Sequence, residues 1–254
     1  MRELARVLSS RFGYDPRQYV AGTLHLLRRP DFSDELWSIV RAVQRHTMTS
    51  PERISALIES IQFIVHNRIP GSIVECGVWR GGSMMAAALA LKKAGDTTRE
   101  LHLFDTFEGM PKPTAADVDL KGQSAGSFFR KLQTGPDTSN FCRATLEEVR
   151  LAMSSTGYEQ GLLHLVKGRV EETIPKHAPD SIALLRLDTD WYESTKHELV
   201  HLFPRLSKHG VLIVDDYGHW EGARKAVDEY FAENKIRILL SRVDYTGRVA
   251  VKLE

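Results

Sequence analysis

The sequence predicts an α/β protein built on a doubly wound, seven-stranded, mostly parallel sheet, with an antiparallel C-terminal hairpin and a helical N-terminal extension. Three observations predict it. From about Ser72 onward, short β-rich runs alternate with longer stretches of helical period, the βαβα rhythm of a parallel sheet. Most of the apolar runs are too continuous to be one-sided strands, as expected when helices cover both sheet faces. The ending breaks the rhythm: KIRILLSRVD, a Tyr245-Thr246-Gly247 turn and RVAVKLE read as the two strands of a hairpin.

Taken in order, residues 1–70 form the helical extension and 71–254 the main domain. Thr49-x-x-Glu52, with Pro51 inside the first turn, is a capping-box start for a helix over 50–67. The strands follow at 72–76 (SIVEC), 101–107 (LHLFDTF), 162–168 (LLHLVKG), 181–188 (SIALLRLD) and 210–217 (GVLIVDDY). Helical patterns lie between them at 82–95, 144–156, 192–207 and 220–233. Residues 109–140 are the one long irregular stretch, rich in Pro, Gly, Ser, Thr and Asp. A loop that long in a compact domain reads as a lid over a site.

Composition narrows the function classes. The 254 residues carry 34 Lys+Arg against 33 Asp+Glu, a formal net charge of +1, which argues against a dedicated nucleic-acid binder. Two cysteines, Cys76 and Cys142, cannot build a disulfide framework or a cysteine-based zinc site, so a reducing, cytoplasmic setting is expected. The opening MRELARVLSS alternates charged and apolar groups and lacks the continuous apolar core of a signal peptide. No run approaches the ~20 apolar residues that span a bilayer, so no membrane partner is expected.

The first strand runs into Glu75-Cys76-Gly77-Val78-Trp79-Arg80-Gly81-Gly82-Ser83 and then a helix of small residues. Glycines there let the backbone approach a ligand, and the helix N-terminus offers free N–H groups. The motif is not G-x-x-x-x-G-K-[ST], and Trp79 occupies the place of the second glycine of G-x-G-x-x-G. Asp105 ends the second strand, where an acid can accept both ribose hydroxyls of an adenosine cofactor. Glu75, before the first glycine, favours S-adenosylmethionine over a dinucleotide, because a carboxylate can hold the cofactor's ammonium group but repels a pyrophosphate.

Asp188 and Asp190 end the fourth strand, and Asp215 and Asp216 the fifth. Ligands of open α/β sheets bind outside the carboxyl ends of the strands, so these four acids converge on the edge that holds Gly77 and Asp105. Packed together they repel unless a cation joins them, and oxygen-only donors suit a hard ion such as Mg²⁺. The plainer reading of any one Asp is a cap for the following helix.

Two other motifs fail on their context. His197-Glu198-Leu199-Val200-His201 matches the zinc-protease pattern H-E-x-x-H. At ~100° per residue, Tyr192, Thr195, Leu199, Leu202, Phe203 and Leu206 form the core stripe, and both histidines fall on the solvent side. Tyr192 to Lys196 matches the Y-x-x-x-K of short-chain dehydrogenases, whose glycine motif opens the chain, whereas here the first strand begins only after about seventy residues. A Rossmann-type NAD(P) oxidoreductase remains the alternative, beside a catalytically silent cofactor-binding protein.

The stretches TMTSPERISALIESI (47–61), IPGSIVECGVWRGGSMMAAAL (69–89), FDTFEGMP (104–111), VKGRVEETIP (166–175), LRLDTDWYEST (185–195) and VDDYGHWEGARKAVDEYF (214–231) together carry a family resemblance. On them the chain resembles the macrocin O-methyltransferase (TylF-type) sugar O-methyltransferases of natural-product pathways. The resemblance implies a Rossmann-like class I methyltransferase fold and methyl transfer, dependent on S-adenosylmethionine and Mg²⁺, to a sugar hydroxyl of a small glycosylated acceptor. It implies that Glu75, Cys76, Gly77, Val78, Trp79, Gly81, Gly82 and Ser83 hold the methionine part. Asp105, with Thr106 beside it, would take the ribose, and Gly168 would lie near the adenine. Asp188, Asp215 and Asp216 would be the metal ligands and Asp190 the general base. Tyr217 and His219 would line the substrate pocket, and Thr49 would reach the cofactor's carboxylate. Residues 112–140 match the family least. A homodimer or higher homo-oligomer through the N-terminal helices is expected.

Overall fold

The computed structural model describes residues 28–254. The earlier part of the expected N-terminal extension, with its opening MRELARVLSS, lies outside the described residues. The described chain begins with two helices, α1 (Asp34–Val43) and α2 (Pro51–His66), and enters strand β1 (Ser72–Cys76) and helix α3 (Gly82–Ala94). There follow β2 (Leu101–Asp105), α4 (Ala125–Leu132), β3 (Gln133–Gly135), β4 (Thr138–Ser139), α5 (Leu146–Ser154) and β5 (Leu163–Lys167). The second half contains α6 (Val170–Thr173), β6 (Ile182–Leu187), α7 (Tyr192–Leu202), β7 (Leu206–Val214), α8 (Glu221–Glu233), β8 (Ser241–Arg242) and β9 (Arg248–Val251).

Seven strands form one sheet in the order β5-β2-β1-β6-β7-β9-β8. Pairing is parallel up to β7 and antiparallel for β9 against β7 and β8 against β9. The order reverses direction between β1 and β6, the kind of switch point where a crevice opens at the strand ends. Alternation along the strands feeds two cores. Val211 and Ile213 face one core with α1, α2 and α3, while Leu212 and Val214 face the other with α7 and α8. Val43, Ile54, Ile61 and Ile64 from the N-terminal helices are fully buried in the first core, so α1 and α2 share the main hydrophobic core with the sheet.

Four local expectations are corrected. Ser50, not Thr49, is the N-cap of α2: its hydroxyl accepts from Arg53 N at 3.2 Å. The third helical position is therefore Arg53 rather than an acid, and no capping box forms there. Helix α7 stops at Leu202 because Pro204, in the following single 3₁₀ turn, has no N–H to continue it, and β7 starts at Leu206. The stretch 109–140 contains α4 and the small β3–β4 ribbon. The hairpin strand β8 shrinks to two residues, both exposed.

Candidate active site

A cavity of about 600 Å³ opens at the carboxyl ends of the central strands. Such a volume suits a small-molecule ligand. The glycine turn after β1 forms one wall. Gly77 has φ +83°, and a Cβ there would stand 2.1 Å from the Asp188 carbonyl oxygen, so only glycine lets the ends of β1 and β6 lie this close. Gly82 N donates to the His46 carbonyl at 3.0 Å, and a Cβ on Gly82 would come within 2.5 Å of that oxygen. That contact draws His46, Thr47, Met48 and Thr49 into the cavity wall. Asp105 braces the turn: its Oδ2 accepts from Val78 N (2.7 Å) and Trp79 N (3.0 Å), and its Oδ1 from Phe107 N (2.7 Å).

The floor is a network of carboxylates and two guanidinium groups. Arg186, next to last in β6 and 2% exposed, donates to Glu75 Oε1 at 2.7 Å, to Asp188 Oδ2 at 2.6 Å and to Thr49 Oγ1 at 3.2 Å, and also pairs with Asp215. Arg53 reaches in from α2 to pair with Asp215, and with Asp244 at 3.1 Å. Burial works against charge on both arginines, but the surrounding carboxylates outweigh it and hold each above its ordinary value. Asp188, Asp215 and Asp216 bring carboxylate oxygens within 4.8 Å of one another.

Asp190 sits at φ +67°, a left-handed conformation that Asp tolerates better than most residues, in the turn that leads to α7. Burial lifts Asp188 and Asp190 well above the usual carboxylate range, and the Asp216 charge adds to the rise. Asp216 is held low despite burial, because Asp190 and Asp188 donate hydrogen bonds to it and Arg53 faces it. Burial raises Glu75 to about 7, against the opposing pull of Arg186, and its Oε2 is buried without a partner.

Of the residues expected at the site, Thr49, Gly77, Val78, Trp79, Gly82, Ser83, Asp105, Thr106, Gly168, Asp188, Asp190, Asp215, Asp216 and His219 line the cavity. Four do not. Glu75 lies beneath the floor, clamped by Arg186 and 1% exposed. The Cys76 side chain packs into the core on the α7–α8 side. Gly81, with φ +84°, caps α3 and faces Val149 and Met153. Tyr217 turns away: its hydroxyl donates to Asp228 at 2.7 Å and its ring carries the Arg248 guanidinium.

The H-E-x-x-H and Y-x-x-x-K matches are engaged elsewhere. His197 and His201 are half-buried rather than solvent-facing, with rings 4.4 Å apart, and neither lines the cavity. Glu198 between them is fully buried, accepts from Thr189 Oγ1 at 2.8 Å, and is lifted well above the carboxylate range by that burial. Tyr192 and Lys196 spend their polar ends on Glu229 and Glu233 of α8.

Arg186 and Arg53 were the functional residues that sequence reasoning missed. Arg186 left a signal, since a cation inside the apolar run SIALLRLD has to find carboxylates to be buried at all. Arg53 left none, because its partner Asp215 is 162 residues away.

The lid supplies an apolar mouth of Met110, Phe128 and Phe141 facing Trp220. It is pinned by the fully buried Asp117, whose Oδ1 accepts from Tyr192 N at the start of α7 (2.7 Å) and whose Oδ2 accepts from Thr114 N (2.6 Å). Replacing Asp117 by Ala removes a helix-terminal acceptor, expected to cost about 1–2 kcal/mol. Chemical denaturation reads that loss, and the KM of the acceptor is expected to rise while cofactor affinity stays unchanged.

Comparison with known proteins matches residues 33–252 to the family model described as Macrocin-O-methyltransferase (TylF). An 8-demethyl-8-(2,3-dimethoxy-alpha-L-rhamnosyl)-tetracenomycin-C 4'-O-methyltransferase of Streptomyces olivaceus is 33% identical over 202 residues, 80% of this chain and 74% of that protein. A demethyldecarbamoylnovobiocin O-methyltransferase of Streptomyces niveus is 32% identical over the same shares. The solved structure of the O-methyltransferase NovP superposes with a TM-score of 0.72 at 29% identity, covering 82% of this chain and 83% of that one. The sheet is that of the class I methyltransferases. With the family model spanning nearly all the described residues and a relative 33% identical across 80% of the chain, this protein is an O-methyltransferase of the macrocin O-methyltransferase (TylF) family.

Proposed function

We propose that the protein transfers the methyl group of S-adenosylmethionine to a hydroxyl of a sugar on a small glycosylated acceptor, with Mg²⁺ at the carboxylate cluster. One observation carries the reading: Asp188, Asp190, Asp215 and Asp216 gather in a single cavity with the glycine turn of Gly77 and Gly82. Relatives that act on a rhamnosyl-tetracenomycin and on a novobiocin precursor support the acceptor class.

The chain's own residues fit both groups. The glycine turn and Thr49 would take the methionine end, and Glu75, which lies outside the cavity lining with a buried, unpartnered Oε2, would offer an acceptor to an ammonium group. Asp105 and Thr106 would face the ribose, and Gly168 the adenine. Asp188, Asp215 and Asp216 would hold Mg²⁺, since all three donors are oxygens. Arg186 and Arg53 offset part of the cluster's charge, so a metal there would be one of three cations rather than the sole one. When bound, Mg²⁺ lowers the pKa of a hydroxyl that it touches.

Asp190 in its ionised form, which a cation at the neighbouring carboxylates would favour, takes the hydroxyl's proton as the oxygen attacks the methyl carbon in line. The C–O bond forms as the C–S bond breaks, leaving the thioether S-adenosylhomocysteine. Positioning is the chain's main contribution to such a displacement. Phe128, Phe141, Trp220 and His219 shape the acceptor side and exclude water.

The test is incubation with methyl-labelled S-adenosylmethionine and a panel of deoxysugar glycosides, with S-adenosylhomocysteine quantified. Activity is expected to fall to background in EDTA and return on adding Mg²⁺, with a matching rise in Tm. Full activity in EDTA would remove the metal from the reading, and label transfer only to non-sugar hydroxyls would remove the acceptor class.

A further inference from the structure

Toward the other end of the sheet, β2 and β5 present a second group of metal-binding side chains. His102 and His164 are register partners on these parallel strands, and their rings stack at 4.4 Å with planes 18° apart. Glu100 lies two residues before His102 and so shares its face. Its Oε2 stands 3.3 Å from His102 Nε2, and its Oε1 3.7 Å from His164 Nε2. His102 is 7% exposed, and its Nδ1 is buried without a partner, as is the Nε2 of His164. Asp105 lies three positions along extended strand from His102, about 10 Å, and none of the Glu100, His102 and His164 side chains lines the catalytic cavity.

We propose that Glu100, His102 and His164 form a binding site for a borderline divalent transition-metal ion of the zinc class, separate from the carboxylate cluster. Two imidazoles and a carboxylate are a donor set that zinc takes, whereas Mg²⁺ takes oxygen. Bonds of about 2.0–2.2 Å around a tetrahedral ion set neighbouring donors roughly 3.3–3.5 Å apart. The Glu100–His102 separation of 3.3 Å is within that spacing, the Glu100–His164 separation of 3.7 Å is close to it, and all three donors lie within 4.8 Å of one another.

A hydrogen bond between Glu100 and His102 satisfies one ring nitrogen and leaves His164 Nε2 buried and unpaired. A metal ion uses both. Burial and the adjacent His164 keep His102 below its ordinary value, hence in the neutral form that ligates. The bound ion would tie the edge strand β5 to β2 and leave one coordination position for water.

The test uses tag-free protein stripped with EDTA and dialysed against micromolar Zn²⁺ in millimolar Mg²⁺, the latter to fill oxygen-only sites. One zinc per chain is expected, with a rise in Tm that grows with free zinc. His164→Gln and Glu100→Gln, at positions that are not deeply buried, are expected to lose the zinc while keeping the circular dichroism of the parent; Asp188→Asn is expected to keep it. No zinc above background, zinc retained in His164→Gln, or zinc lost in Asp188→Asn alone would each overturn the site. The last result would move the ion to the carboxylate cluster.

Discussion

Replacing Arg186 by Met is expected to destabilise the protein by about 3–5 kcal/mol, the cost of leaving buried charges without their partner. Three carboxylates pair with this guanidinium: Glu75, Asp188 and Asp215, of which Glu75 and Asp215 are 1% and 3% exposed and Asp215 also pairs with Arg53. Met has similar volume and no charge, so the loss is electrostatic rather than a cavity. Against a typical stability of about 5–15 kcal/mol, it takes a large share. Arg186→Lys is expected to rescue little, because one ammonium cannot reproduce a planar fork that meets Glu75 and Asp188 through Nη1 and Asp215 and Thr49 through Nη2. Urea unfolding of the three proteins in EDTA, where no metal can stand in, measures both differences. A Met variant as stable as the parent would overturn the dependence of the floor on Arg186.

That guanidinium also explains where sequence reasoning stopped. The strand ends were legible because each acid follows an unbroken apolar run: Asp105 ends LHLFD, and Asp188 and Asp215 each follow a strand whose last residues are fully buried. Repulsion among the acids was legible too, but the cations that offset it were not. Arg53 meets Asp215 only once α2 lies across the sheet, and Thr49 gives its hydroxyl to Arg186, leaving Ser50 to cap the helix. The lid helix α4 was hidden by the Gly and Ser around it; its Ala125 and Phe128 close on Trp191 and Trp220 rather than on a neighbour in sequence. Glu75 and Cys76 were placed beside the right turn but with the wrong exposure, because a five-residue strand buried on both faces turns both side chains into the protein. In each case the missing information is a contact across more than sixty residues or the choice of face at a strand's end.

Replacing Asp190 by Asn is expected to lower kcat by about 10²–10⁴-fold, the usual worth of a positioned general base, with cofactor affinity unchanged. The substitution is mild for the fold. Asn adopts the left-handed conformation as readily as Asp, so φ +67° carries no new strain. The side chain keeps its shape, and its amide N–H can donate a hydrogen bond to Asp216. What it cannot do is take a proton. The change also removes one acid from a crowded group, so stability is expected to hold or rise while turnover collapses. Opposite signs for the two measurements distinguish a base from a scaffold residue: a structural role would lower both together. Single-turnover formation of S-adenosylhomocysteine in the presence of acceptor, paired with thermal unfolding of the same preparations, reads the two effects side by side. A rate within twofold of the parent would move the base to another group, and among the cavity's remaining side chains His219, stacked edge-on against Trp220 with its Nδ1 3.4 Å from the Tyr245 hydroxyl, is then the group placed to serve.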